Sequence, residues 1–111
     1  MTKVLISDTF RKLLQKLKVL EASFIKKLRV YKLISLKVPF YKIKLFSPAL
    51  RGIVYYDSEK DLLIPVLLFK KSDKSYGFNL LLDDAIKNLL DKQFKKITLD
   101  IKNWDYKIYE I

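Results

Sequence analysis

The sequence predicts a single α+β domain in which an N-terminal helical hairpin packs on an antiparallel β-sheet and a further helix follows towards the carboxyl terminus. Three observations predict it. Apolar residues recur at helical spacing over the first third of the chain, alternate with polar residues after Pro39, and return to helical spacing at Leu81. A chain of 111 residues has room for one hydrophobic core, so one domain covers residues 1–111. Half of the residues are hydrophobic and only five are Gly or Pro, a balance that can offset the entropy of ordering the chain.

Val4-Leu5-Ile6 is a short strand candidate. Ser7-Asp8-Thr9 then offers cap residues before Phe10, Leu13, Leu14 and Leu17, which fall on one helical stripe. A second helix is predicted over residues 20–33, where Phe24, Ile25, Leu28 and Tyr31 share a stripe and Lys26, Lys27 and Lys32 lie off it. Both stripes read as core. Over residues 40–46 the period becomes two, with Tyr41, Ile43 and Leu45 on one face and Lys42 and Lys44 on the other. Residues 47–50 supply turn chemistry, 51–56 are β-rich, 57–61 form a polar turn, and 62–69 are an almost unbroken apolar run. This is a three-stranded meander, in which Pro65 cannot donate to the ladder and implies a bulge. A polar loop over 70–77 precedes a helix of about three turns on Leu81, Leu82, Ala85, Ile86, Leu89 and Leu90. In the tail, Ile97, Leu99 and Ile101 alternate as in a strand, while Leu90, Phe94, Ile97, Ile101, Trp104 and Ile108 follow a heptad-like spacing. The β-branched and aromatic content favours a strand or hairpin for residues 97–111.

Lys and Arg number 23 against 12 Asp and Glu, a formal net charge of +11 that attracts polyanions, nucleic acid first among them. Lysines on helix faces read as ordinary solvation. Without cysteine there are no disulfides or thiolate sites, and without histidine neither zinc nor imidazole acid–base chemistry is expected. No metal or cofactor is predicted. No apolar run reaches transmembrane length and the first residues lack a leader's apolar core, so a cytoplasmic protein away from membranes is expected.

Closing the first hairpin through residues 47–50 sets Phe46 opposite Arg51, Lys44 opposite Ile53 and Lys42 opposite Tyr55, with Lys42, Lys44 and Arg51 on one face. Closing the second with Asp57 opposite Leu62 sets Leu68 beside Arg51 and sends Lys70 off the strand end on the same side. A one-residue slip presents Lys71 instead. Cations gathered on one sheet face repel one another, so the set points to an anion, against the simpler reading of a solvated face. Tyr55 and Tyr76 add phenols that can stack on bases or bond phosphate, and Lys71 and Lys74 are further candidate RNA contacts.

Tyr41-Lys42-Ile43-Lys44-Leu45, then Arg51 followed by Tyr55, then an apolar strand ending in Lys70-Lys71 with Tyr76 beyond, resembles the core of the RelE/ParE superfamily of toxins, the RelE-type mRNA interferases above all. The likeness spans residues 4–90 and is most specific between Phe40 and Tyr76. It implies the toxin half of a toxin–antitoxin pair, a ribosome-dependent endoribonuclease that cuts messenger RNA in the ribosomal A site and is silenced by a cognate antitoxin. It implies Lys42, Lys44, Arg51, Lys70 and Tyr76 as the active residues. The chain departs from RelE-type members where Lys70 replaces a common arginine, and from related branches that use a histidine and a carboxylate. The ParE-type branch shares the fold but inhibits DNA gyrase by binding, and a non-catalytic RNA or DNA binder is a third reading.

Cleavage by the RNA 2′-hydroxyl requires a base, a cationic clamp on the phosphorane and an acid for the leaving oxygen. A lysine in a dense positive field loses its proton more readily, which suits Lys42 or Lys44 as base. Arg51 fits phosphate as a charged fork, Lys70 serves as acid or second clamp, and Tyr76 orients base or sugar. The expected antitoxin carries an acidic, amphipathic segment, and Trp104, Tyr106 and Tyr109 are candidates for its docking surface or for core.

Overall fold

The computed structural model describes residues 2–28, 33–45, 49–70 and 84–111. In chain order they form β1 (Lys3–Ser7), α1 (Asp8–Lys16), α2 (Glu21–Leu28), β2 (Ile34–Lys37), β3 (Phe40–Leu45), β4 (Leu50–Asp57), β5 (Leu62–Lys70), α3 (Asp84–Lys102) and β6 (Tyr106–Glu110). The class is α+β as expected, but the sheet is larger than a meander. Its strand order is β2-β3-β4-β5-β1-β6, antiparallel except where β1 runs parallel to β5.

Both faces of the sheet are covered. Val4, Ile6, Ile43, Leu45, Leu50, Val54 and Leu68 join Phe10 and Leu14 of α1 and Phe24 and Leu28 of α2 in one core. Leu5, Ile53, Ile64 and Leu67 join Ile86, Leu90 and Ile97 of α3 in a second. Alternation along each strand divides the side chains between these two layers. The N-terminal helices do not form the simple hairpin that their stripes suggest. They touch through Phe10 and Phe24, whose rings lie 5.2 Å apart, and through an Arg11–Glu21 ion pair, but the N-terminus of α1 is built against α3. There the Thr9 amide donates to Asp100 Oδ2 at 2.7 Å and the Asp8 amide to the Asp105 carbonyl at 2.9 Å.

Ser7 caps α1, its Oγ accepting the Phe10 amide at 3.1 Å. Both α1 and α3 then end on a left-handed residue that is not glycine, Lys18 (φ 58°) and Trp104 (φ 62°). In each case the next amide reaches back five residues, Val19 to the Leu14 carbonyl and Asp105 to the Asp100 carbonyl, which satisfies the last turn. α2 is described as far as Leu28, and residues 29–32 of the expected helix lie outside the described residues. β2 is an edge strand with no counterpart among the predicted elements.

Residues 97–102 are helical, against the expected strand. Ile97 is fully buried on the sheet and Phe94 packs on Phe40 and Tyr55, whereas Leu99 is 58% exposed, so the helical stripe is the one that finds a core. The strand character of the tail is realised further on, in β6, which pairs along the whole of β1 from Lys3 with Glu110 to Ser7 with Tyr106.

The β4–β5 ladder opens with Asp57 opposite Leu62 as predicted, then shifts register where Ile53 pairs Leu67 and Val54 pairs Pro65. Val66 is the extra residue, and Pro65, which has no amide hydrogen, sits at the irregularity it was expected to cause. Gly52 marks a close approach in the same ladder, because a Cβ there would lie 2.8 Å from the Leu67 carbonyl oxygen and 3.2 Å from Leu68 Cδ1. A backbone oxygen cannot swing aside. Gly52→Ala is expected to destabilise the fold by about 1–3 kcal/mol, read as a lower urea midpoint with an unchanged slope.

Candidate functional site: a cationic face on strands β3 and β4

Lys42 and Lys44 stand on β3 because the intervening Ile43 and the following Leu45 are drawn into the core beneath α1 and α2. Tyr41, on that same buried side, is half-buried. Lys44 lies directly opposite Arg51 and Lys42 opposite Ile53, a register two residues from the predicted one. A two-residue shift preserves the face, so Lys42, Lys44 and Arg51 emerge together as expected.

The three cations are not equally accessible. Lys44 is exposed, Lys42 is half-buried, and Arg51 is only 8% exposed, with Nη1 turned back onto the Leu50 carbonyl at 3.1 Å. Across the ladder Arg51 faces Lys44 on one side and Phe69 on the other. Among the described residues the ion pairs are those of Arg11 with Asp8 and Glu21, so no described carboxylate neutralises this face. Burial, then the charges of Lys44 and Arg51, hold the Lys42 ammonium below its ordinary pKa. A lysine so placed releases its proton more readily than a solvated one.

Lys70 does not join the cluster. It pairs with Leu50, on the α1–α2 side of the sheet, because the bulge at Val66 adds one residue and reverses the parity of everything beyond it. Phe69 takes the place beside Arg51 where Leu68 was expected. Lys71, Lys74 and Tyr76 lie outside the described residues. Tyr55 is on the cationic face, but its ring packs 5.7 Å from Phe40 and 5.3 Å from Phe94 and so serves the core rather than a base-stacking surface. Trp104 is 80% exposed and stacks on Tyr106, while Tyr109 packs against the first core and bonds Glu21. The tail aromatics thus divide between surface and core. Among the described residues no cluster of acidic side chains is arranged to hold a metal ion, and no helix is long and apolar enough to cross a membrane.

No family model, curated protein or solved structure matches the chain. Its chemistry therefore rests on the site itself, and what the three side chains offer is a patch of positive charge in which the Lys42 pKa is lowered.

The lowered Lys42 pKa has a measurable consequence for stability. Between its folded value and 10.5 the unfolded chain holds a proton that the folded chain has released, so Lys42 makes stability rise as pH climbs through that window. Lys42→Met is expected to be more stable than the parent near neutral pH, and the difference should shrink towards pH 10.5. Urea unfolding of both proteins at the two ends of the window is the check; a constant difference would mean that Lys42 feels no such field.

Proposed function

We propose that the chain is a RelE-type toxin that cuts messenger RNA held in a ribosome, with the scissile phosphate bound on the Lys42, Lys44 and Arg51 face. The observation that carries this reading is the cross-strand placement of Lys44 against Arg51 with Lys42 on the same face, undiluted by any described carboxylate. The element order helix, helix, meander and helix supports it, since that order and the spacings around Lys42 and Arg51 carry the family resemblance.

In this reading Lys42, its proton made labile by its neighbours, takes the proton of the 2′-hydroxyl. The 2′-oxygen attacks phosphorus, Arg51 and Lys44 balance the charge that builds on the phosphorane, and the bond to the 5′-oxygen breaks. Lys44 returns a proton to that leaving oxygen, so the products are a 2′,3′-cyclic phosphate and a 5′-hydroxyl end. Lys70, on the far side of the sheet, has no part at this phosphate. Tyr76 belongs to the proposal as an active residue through the resemblance alone, and Lys71 and Lys74 as candidate RNA contacts read from the sequence. An acidic, amphipathic antitoxin would silence the protein by covering the cationic face.

The absence of Lys70 from the cluster favours a second reading, a non-catalytic RNA binder that uses the same face. Cell-free translation separates the two, with 3′ ends of the messenger mapped after addition of the protein. Truncated messengers bearing cyclic phosphate ends are expected. Slowed translation with intact messenger would leave the binder, and undisturbed translation with arrested DNA replication would leave the ParE-like gyrase inhibitor.

A further inference from the structure

A second cationic feature lies away from the sheet face, and the lysines that build it read from the sequence as simple helix solvation. β1 and β5 pair only at Lys3 with Leu62 and Val4 with Leu63. α1, which starts at the end of β1, meets α3 through Asp100 and the turn that follows α3 through Asp105. Between the two helices runs an open cleft of about 460 Å³ lined by Thr9, Lys12, Leu13, Lys16, Gln93 and Lys96. Lys12 and Lys16 stand one turn apart on α1, and Gln93 and Lys96 one turn apart on α3, so each pair projects from a single helix face.

We propose that this cleft binds the sugar–phosphate backbone of double-stranded RNA. Among the described residues three ammonium groups line it and no carboxylate does. Asp100, at its edge, accepts the amide of the lining residue Thr9 at 2.7 Å, and Asp8 pairs with Arg11 at 3.0 Å. Like charges drawn together with their counterions otherwise occupied repel one another unless a polyanion is present. The lining contains no aromatic ring, so it offers no platform for stacking unpaired bases, and single strands are poor ligands for it. Its one apolar side chain, Leu13, is half-buried, which leaves nothing to insert into a lipid surface. The Thr9 hydroxyl and the Gln93 amide supply donors and acceptors for ribose 2′-hydroxyls, which distinguish an RNA duplex from DNA.

The inference rests on the RNA reading for the identity of the polyanion, and it divides the work: the sheet face handles a single phosphate, the cleft anchors the protein on structured RNA. Fluorescence anisotropy of a labelled RNA duplex of about 16 base pairs, its DNA counterpart and one RNA strand, across a salt series, tests it. The variant Lys12→Gln/Lys16→Gln/Lys96→Gln should bind the RNA duplex at least tenfold more weakly, with a salt slope shallower by about 3, and should keep its single-strand binding. Lys42→Gln/Lys44→Gln should do the converse. The three cleft lysines are exposed, so an unfolding midpoint equal to that of the parent is expected. Unchanged duplex affinity and slope in the cleft variant, or equal and equally lysine-dependent binding of the DNA duplex, would overturn the proposal. Loss of duplex binding in the cleft variant beside full messenger cleavage by the sheet-face variant would instead sustain the cleft and defeat the proposed active face.

Discussion

Arg51→Ala is expected to lower ribosome-dependent cleavage about a hundredfold or more, which corresponds to about 3 kcal/mol of lost transition-state stabilisation. The guanidinium fork matches two phosphate oxygens where an ammonium offers a point charge. Its burial beside Phe69 and its bond to the Leu50 carbonyl hold it in one orientation, so little is spent in ordering it when phosphate arrives. Arg51 also helps to depress the Lys42 pKa. Removing it should therefore move the rise of cleavage rate with pH to more alkaline values, a change that a merely structural role would not produce. Arg51→Lys keeps the charge and loses the fork; it should retain the pH profile and recover part of the rate. Folding should survive both changes: in Arg51→Ala the repulsion relieved around Lys44 offsets packing lost beside Phe69, and Arg51→Lys keeps both the charge and most of the apolar stem. A folded Arg51→Ala protein that still arrests growth at full strength would point to a protein target rather than to RNA cleavage.

The part of this site that could be read from the chain is the part governed by local period. Lys42 and Lys44 share a face because Ile43 and Leu45 must be buried, and that remains true whichever way the hairpin closes by an even number of residues. Lys70 escaped the same logic. Its side depends on how many residues the bulge at Pro65 adds, and a proline announces an irregularity without stating its size. The span from Ile97 to Ile101 fits two periods equally well, and only the presence of Phe40 and Tyr55 as a surface for Phe94 decides for a helix. The pairing of β6 with β1 joins the two ends of the sequence and leaves no local trace. The same holds for the cleft lysines, which are ordinary on either helix alone and unusual only where α1 meets α3.

Glu21→Ala is expected to be among the most destabilising single substitutions outside the hydrophobic layers, and to loosen β6 more than the rest of the sheet. Glu21 opens α2 and joins three elements: Arg11 Nε of α1 donates to its Oε1 at 2.7 Å, and the Tyr109 hydroxyl of β6 donates to its Oε2. Burial alone would raise the carboxyl pKa, but the bonds from Arg11 and Tyr109, with help from the charges of Arg11 and Lys107, outweigh it and hold the group below 4.5. Burial and the bond to Glu21 in turn raise the Tyr109 phenol. A charge-assisted bond of this kind contributes about 1.5–3 kcal/mol, and loss of the carboxylate leaves both donors without it. A carboxyl with a lowered folded pKa gives stability that is complete above its unfolded value and is lost as pH falls through the folded one. The difference between the parent and Glu21→Gln should therefore be largest at neutral pH and diminish as pH falls from 4.5 through the lower folded value, beneath which both carry a neutral side chain. Asp61, held low chiefly by the Tyr56 hydroxyl at 2.6 Å, adds its own acid sensitivity to both proteins and cancels in the difference. Tyr109→Phe removes only the β6 arm and should have a smaller effect of the same sign. Because β6 is an edge strand whose ladder lies only against β1, its amides should exchange with solvent faster in Glu21→Ala while those of β4 and β5 slow or accelerate only with global stability. Uniform acceleration across the sheet would show that Glu21 supports the domain as a whole and does not tie down its last strand.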